Sequence, residues 1–319
     1  MRDIDLLIVG GGPAGCAAAV MAASLGMRST LLEADTLLCR KLLHIPALSN
    51  VLGGFTSGPA LAEAIAGDVT RSDRCHIMTG HPVSRIDAGD EDVTVTLAPD
   101  QRLTAPHVVV ATGVTPAQPA HADWITAPEG LAITPLWEAS PEALTGRTAL
   151  ILGADRPLDT LLRSAPDLDT HLLVVHPPED TYKTAEARGD SRVELIQARH
   201  VTVYTPPESP QLTAEITSTT GETLSRPADH IHLNLGTRPH HPTGPFSPDE
   251  LGYCPPARQH PRIHIAGDLR SARCQRIMTA MGSGSEAALH AYYNWPESSL
   301  ADPHAGTYYL PNSGPTDRN

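Results

Sequence analysis

Three glycines, Gly10, Gly12 and Gly15, stand in the G-x-G-x-x-G spacing directly after the apolar run from Leu6 to Val9. Each has its own physical task. Gly10 permits a tight turn out of a strand, Gly12 lets backbone approach a diphosphate, and Gly15 lets helix and strand pack closely. The residues that follow, Pro13 to about Leu25, are alanine-rich and read as a helix whose N-terminal N–H groups face an anion. A second strand, about Arg28 to Leu32, ends at Glu33, 21 positions after Gly12, where a carboxylate can accept hydrogen bonds from a ribose diol. A glycine-rich turn without a ligand is the alternative for the triplet alone. Strand, glycines, helix, second strand and terminal acid in register point instead to an adenine dinucleotide.

Such a loop has to be carried on a sheet with helices packed against it. After Glu33 comes a loop, ADTLLCRKLLHIPALSNVLGG, and then an expected helix from about Ser57 to Ser72, capped by Ser57. His76 to Met78 reads as a short strand, while Val83–Asp87 and Asp92–Leu97 alternate as half-buried antiparallel strands do. His107 to Ala111 is a buried strand ending in Thr112-Gly113, and the proline-rich segment from Val114 to Ala127 reads as a crossover. A second unit begins near Gly130. It is expected to hold strands at Thr148–Leu152, His171–Val175, Val201–Tyr204, Ala214–Ser218 and His230–Leu235, with a helix at Pro157–Ser164. The chain then returns to the first unit with a strand at His264–Ala266, the pair Gly267-Asp268, and a long helix from Gln275 to Tyr293; the tail from Trp295 is expected to be irregular. The fold class expected is α/β, with two Rossmann-like three-layer domains: a discontinuous one over 1–116 and 247–319, enclosing a second over 117–246.

Composition narrows the function. The chain of 319 residues carries 23 basic and 36 acidic side chains, so 23 − 36 = −13, which argues against nucleic acid or an anionic membrane as partner. No apolar run reaches membrane-spanning length, and the N-terminus enters the first strand too early for a signal peptide, so a cytoplasmic location is expected. Five cysteines (Cys16, Cys39, Cys75, Cys254 and Cys274) form no C-x-x-C pair, which excludes common zinc spacings and a disulfide framework. The sixteen histidines show no metalloprotease spacing, and no metal site is expected.

This organisation resembles the low-molecular-weight thioredoxin reductases, flavoproteins of the pyridine nucleotide–disulfide oxidoreductase superfamily. The residues carrying the resemblance are Gly10–Gly15 with Glu33, Asn50 with Gly53-Gly54, Ala111-Thr112-Gly113, and Ile265-Ala266-Gly267-Asp268 followed by Gln275-Arg276-Ile277 and Ala280. The resemblance implies FAD as cofactor, held by Gly10, Gly12, Pro13, Ala14, Gly15, Glu33, Asn50, Val83, Ala111, Thr112, Gly113, Gly267, Asp268, Gln275 and Arg276. In the family the Gly-Asp pair holds the ribityl and pyrophosphate part, and the helix start near the Gln faces the flavin's N1–C2=O edge. A helix N-terminus there stabilises the negative charge of reduced flavin. A homodimer is likewise implied.

The family pattern breaks in the second domain. Where a second G-x-G-x-x-G/A belongs, the chain reads Gly153-Ala154-Asp155-Arg156-Pro157-Leu158, with a carboxylate where a pyrophosphate needs bare backbone. The family's His-Arg-Arg signature for the 2′-phosphate of NADPH is replaced by His176-Pro177-Pro178-Glu179-Asp180. The Cys-x-x-Cys of thioredoxin reductases is absent from the corresponding stretch, Leu131 to Glu138, and Thr134 cannot replace a thiolate. Cys39, in the loop that runs past the flavin in relatives, and Cys274, at a helix head that lowers a thiol pKa, are the candidate catalytic thiols; small apolar filler is the alternative for both. Cys16, among alanines, reads as structural. Trp137, in the stretch that lost the cysteines, is either a cover for the flavin or core packing.

The leading reading is a FAD-dependent oxidoreductase that does not use NADPH. It would act on a thiol, disulfide or other small molecule, with ferredoxin, a substrate thiol, a second flavin in the emptied site, or O2 as redox partner. A non-catalytic flavin-binding protein and a ferredoxin/flavodoxin–NADP reductase-like enzyme are the alternatives.

Overall fold

The structure, a computed structural model, describes residues 4–131, 133–207 and 211–294. Ala132 and the tail from Trp295 lie outside the described residues. The chain divides into two compact units, Met1–Leu43 with Leu48–Gly113 and His240–Asn319, and His44–Ala47 with Val114–Pro239.

The first unit is built on a parallel sheet in the order Ile263–Ile265, His107–Val110, Leu6–Val9, Ser29–Glu33, Cys75–Thr79. Alternation along the strands assigns its two faces. Leu7, Val9, Val108, Val110, Ile263 and Ile265 share one core with Ile86, Val93, Val95 and Leu97 of a small antiparallel sheet, Val83–Ala88, Val93–Leu97 and Arg102–Ala105. Each such fully buried side chain stabilises the fold by about 1.5–3 kcal/mol. The other face carries the helices Pro13–Ser24 and Ile277–Tyr293, which pack on each other. The first helix comes close both to its own loop and to the long helix. A methyl on Gly15 would fall against the carbonyl oxygen of Gly10, and one on Gly284 against that of Ala14. A third helix, Gly58–Thr70, starts at Ser57, whose side chain accepts from the Ala60 N–H.

The second unit has the strand order Thr134–Pro135, His230–Leu233, Arg147–Leu152, Thr170–His176, Val193–Tyr204, Leu212–Ser218, Thr223–Ala228. The first four pairings are parallel and the last two antiparallel. Leu150, Leu152, Leu173 and Val175 face one core; Ala149, Ile151, Leu172 and Val174 face another, with Leu158, Leu161 and Leu162 of the helix Pro157–Ser164. Burial on both sides explains the unbroken apolar runs of these strands.

Three expectations are corrected. The strand placed at Val201–Tyr204 is the end of a longer one, Val193–Tyr204, whose first half carries Glu194, Gln197 and Arg199. Its register shifts between Ala198 and His200, where it passes from parallel to antiparallel pairing. The long helix begins at Ile277 with Arg276 as N-cap, not at Gln275. The crossover after Gly113 is not featureless: Val114–Pro116 pairs with Thr237–Pro239, the other exit segment.

Candidate functional site

Gly10, Ala111 and Gly267 each follow the C-terminal end of one of three adjacent parallel strands, and Glu33 closes a fourth. That edge of an open α/β sheet is where such folds bind ligands. The Gly10 N–H donates to Leu32 O (2.8 Å), and its φ of +103° is one that L side chains rarely adopt. A Cβ there would come 2.6 Å from the Ala111 carbonyl oxygen. Internal packing therefore demands Gly10, as it does Gly15. It does not demand Gly12. Gly12 has an ordinary φ of −74°, and a Cβ on it would meet nothing within 4 Å. Its bare face opens onto free space at the N-terminus of a helix that starts with Pro13 and Ala14 and has no acid in its first turn. An anion fits that cradle.

Glu33 braces the same loop. Its Oε2 accepts from the Gly11 N–H and its Oε1 from the Asp35 N–H (2.8 Å), so each oxygen keeps a lone pair for a diol. On the other side, the Gly267 N–H donates to Ser283 Oγ (2.8 Å), which fastens the strand end to the long helix. The Asp268 carboxyl is pushed up by burial and drawn back down by the charges of Lys41 and Arg276. Lys41 is a participant the sequence reading did not single out; its only signal was that lysine is so rare in this chain. Gln275 turns its amide toward its own loop, donating to Ser271 O (3.0 Å) and Asp268 O (3.3 Å), while Arg276 Nη1 donates to Gln275 O (2.8 Å). Thr112 Oγ1 donates to His240 O, and the His240 N–H donates to Gly113 O (3.1 Å). Asn50 is exposed on the loop before the helix Gly58–Thr70; Val83 is half-buried at the start of its strand.

The thiol facing Cys39 is Cys16, at 4.0 Å, and both are buried. Cys274 is exposed, two residues ahead of the helix cap, with a φ of +62°.

In the second unit, Gly153 keeps the turn conformation (φ +97°), and a Cβ on it would clash with Asn234 O. That packing by itself demands a glycine there. The Asp155 N–H donates to Asn234 O (3.1 Å) and the Asn234 amide donates to Asp155 O (2.8 Å), so the loop is clamped to its own sheet. Lys183 Nζ pairs with Asp180 (2.9 Å); although burial opposes it, Asp180, with Asp155 adding to it, holds that ammonium above its usual range. Leu158 is fully buried where the dinucleotide motif has a small residue. Asn234 and Lys183 carried no motif that could have flagged them. Trp137 is half-buried and meets the His44 ring edge-on at 4.9 Å.

Residues 4–132 match the family model described as pyridine nucleotide-disulphide oxidoreductase. Among solved structures, thioredoxin reductase from Lactococcus lactis aligns with a TM-score of 0.71 at 18% identity, over 91% of this chain and 98% of that one. Thioredoxin reductase from T. acidophilum aligns with a TM-score of 0.71 at 21% identity, over 94% and 100%. The chain is thioredoxin reductase-like in fold. Its two units are the mixed α/β, parallel-sheet units of that fold. The curated relatives include the F component of alkyl hydroperoxide reductase from Staphylococcus epidermidis, 26% identical over 332 aligned positions, and that from Xanthomonas campestris pv. phaseoli, 25% identical over 320. Both alignments cover 90% of this chain but only 58% and 56% of the relatives, so the thioredoxin reductase-like chain spans less than two thirds of their length.

Proposed function

We propose that this chain is a FAD-dependent oxidoreductase whose electrons come from a donor other than NADPH. The observation that carries the reading is the contrast between its two glycine loops. Gly12 leaves open space that no internal contact explains, whereas the Asp155 backbone is hydrogen-bonded to Asn234 and the Asp155 carboxylate acts with that of Asp180 on Lys183. FAD, when bound, supplies the two-electron chemistry. The chain's own residues bind and orient it. Backbone N–H groups at the head of the helix Pro13–Ser24 receive the diphosphate, and Glu33 accepts from the adenosine ribose while bracing Gly11. Asp268, balanced by Lys41 and Arg276, presents a carboxylate to the ribityl hydroxyls. NADPH at the Gly153 loop would set its diphosphate against Asp155 and Asp180, with Lys183 already committed to them.

The substrate side is a thiol, disulfide or other small molecule, and the partner a thiol, a ferredoxin, a second flavin in the second unit, or O2. A cytoplasmic homodimer belongs to the same reading. Flavin per chain is counted from absorbance, and the protein is then mixed anaerobically with NADPH, dithiothreitol and photoreduced ferredoxin in turn. Bleaching by dithiothreitol or ferredoxin, with NADPH ineffective, is expected; rapid bleaching by NADPH sinks the proposal.

A further inference from the structure

Beneath the glycine loop two cysteines hold the same backbone atom, one by its thiol and the other by its backbone N–H. Cys16 Sγ donates to Gly11 O (3.3 Å), and the Cys39 N–H donates to that oxygen as well (2.9 Å). The sulfurs face each other at 4.0 Å, with Cys16 0% and Cys39 2% exposed. Cys39 holds this position at a φ of +55°, in the left-handed region that non-glycine residues seldom occupy. The two residues come from different elements, the helix Pro13–Ser24 and the loop after Glu33, and neither has a part in the function proposed above. A disulfide needs an S–S distance of about 2.0 Å, so the sulfurs must close by roughly 2 Å. The segment that has to move, 34–39, has Asp35 and Leu37 among its members, and Leu37 is 55% exposed.

We propose that Cys16 and Cys39 form a reversible disulfide, with a hydroperoxide as oxidant, that fastens the segment after Glu33 to the first helix. The Cys16 proton is held by Gly11 O, and the hydrogen bond with Cys39, then burial, push that thiol above its usual range, so Cys16 keeps its proton and Cys39 is assigned as the attacking sulfur. Cys39 gives up its proton as its sulfur attacks one oxygen of hydrogen peroxide. The O–O bond breaks, hydroxide leaves and takes up a proton as water, and Cys39 becomes a sulfenic acid. Cys16 sulfur then attacks Cys39 sulfur; the S–O bond breaks, and the departing hydroxyl takes the Cys16 proton as a second water. Two thiols are oxidised and one peroxide is reduced to two waters. An external dithiol reverses the bond by exchange. Where Glu33 holds the FAD ribose, as proposed above, the bridge closes a ring containing Glu33 and slows flavin release.

The flavin-loaded chain is treated with hydrogen peroxide, alkylated and digested without reduction. The expected product joins the Cys16 and Cys39 peptides, lighter by two hydrogens than the free pair and restored by dithiothreitol. Free alkylated Cys16 and Cys39, or linkage of either to Cys75, Cys254 or Cys274, overturns the proposal. In Cys16→Ser the sulfenic acid has no resolving thiol, so Cys39 goes on to sulfinic acid; a Cys39 that stays alkylatable in that variant counts against the chemistry. Flavin release from the bridged chain is expected to be severalfold slower than from the reduced chain. Equal or faster release from a chain shown to be bridged overturns the coupling to the cofactor. Failure of the FAD reading is separately visible, because the reduced chain would then hold no flavin.

Discussion

At the scale of single residues, three glycines that look alike in the sequence separate into two kinds. Gly15→Ala drives a methyl into the Gly10 carbonyl oxygen, so the helix must shift off the loop. Such overpacking costs about 1–3 kcal/mol, and the variant is expected to melt earlier whether or not flavin is present. Gly12→Ala adds a methyl to open space at an ordinary φ, so the fold is expected to keep its melting temperature while flavin per chain falls. Thermal melts and flavin absorbance on the two variants check this; equal flavin retention in Gly12→Ala and the parent removes the diphosphate from that loop. Glu33→Gln replaces two acceptor oxygens by one acceptor and one donor, setting an N–H against a backbone N–H at Gly11 or Asp35. Loss of a charged hydrogen bond of about 1.5–3 kcal/mol corresponds to flavin binding weakened roughly 10- to 100-fold, measurable by fluorescence titration. The glycine spacing was legible because it is local and periodic. The pairing of Cys16 with Cys39 was not, because it depends on the left-handed turn at Cys39, which no residue type announces.

At the scale of elements, two strands of the first unit place His107 and His264 side by side, with Nδ1 and Nε2 3.1 Å apart, beneath the helix Ile277–Tyr293. Burial, with Arg262 adding to it, pushes His107 down to about 4; burial, with His107 and His290 adding to it, pushes His264 down to about 3. His290 in turn faces Glu286. Both histidines titrate near 6.5 in the unfolded chain, which therefore binds more protons than the folded one once the pH falls below that value. The stability they contribute is whole above pH 6.5 and drains as the pH falls toward 4 and then 3, by up to about 1.4 kcal/mol per pH unit for each. His264→Gln is expected to flatten the acid limb of a urea-stability profile between neutral pH and the histidine range; an unchanged slope refutes the assignment. Elements were read best where the apolar pattern was strong, as at Leu6–Val9 and His107–Val110. They were missed where it was weak: Arg102–Ala105 is a short, largely polar strand, and Thr223–Ala228 contains Pro227, which fits only an edge strand. The start of the long helix was misplaced because Gln275 looks like a helical residue, while its side chain is spent on the carbonyls of the preceding loop.

At the scale of the whole molecule, the net charge of −13 constrains how electrons arrive. An acidic protein donor approaches against a repulsive field that salt screens over a Debye length of about 8 Å at physiological ionic strength. Its reduction of the flavin is therefore expected to speed up as salt is added, the reverse of a complementary encounter. An uncharged dithiol feels no such field, and its rate is expected to stay flat. The two dependences separate donor classes whatever the physiological partner is, because only long-range charge distinguishes them. Stopped-flow bleaching with each donor across a salt series provides the measurement. An acidic donor whose rate falls with salt would mean that a local basic surface guides it and that the overall charge does not govern docking. NADPH serves as the internal control. It is a polyanion, so salt would also help it, but under the proposed reading the Gly153 loop, with Asp155 hydrogen-bonded to Asn234, does not receive its diphosphate. Its bleaching is expected to remain negligible at every ionic strength. If salt alone made NADPH an efficient donor, charge and not the closed Gly153 loop would be what excludes it.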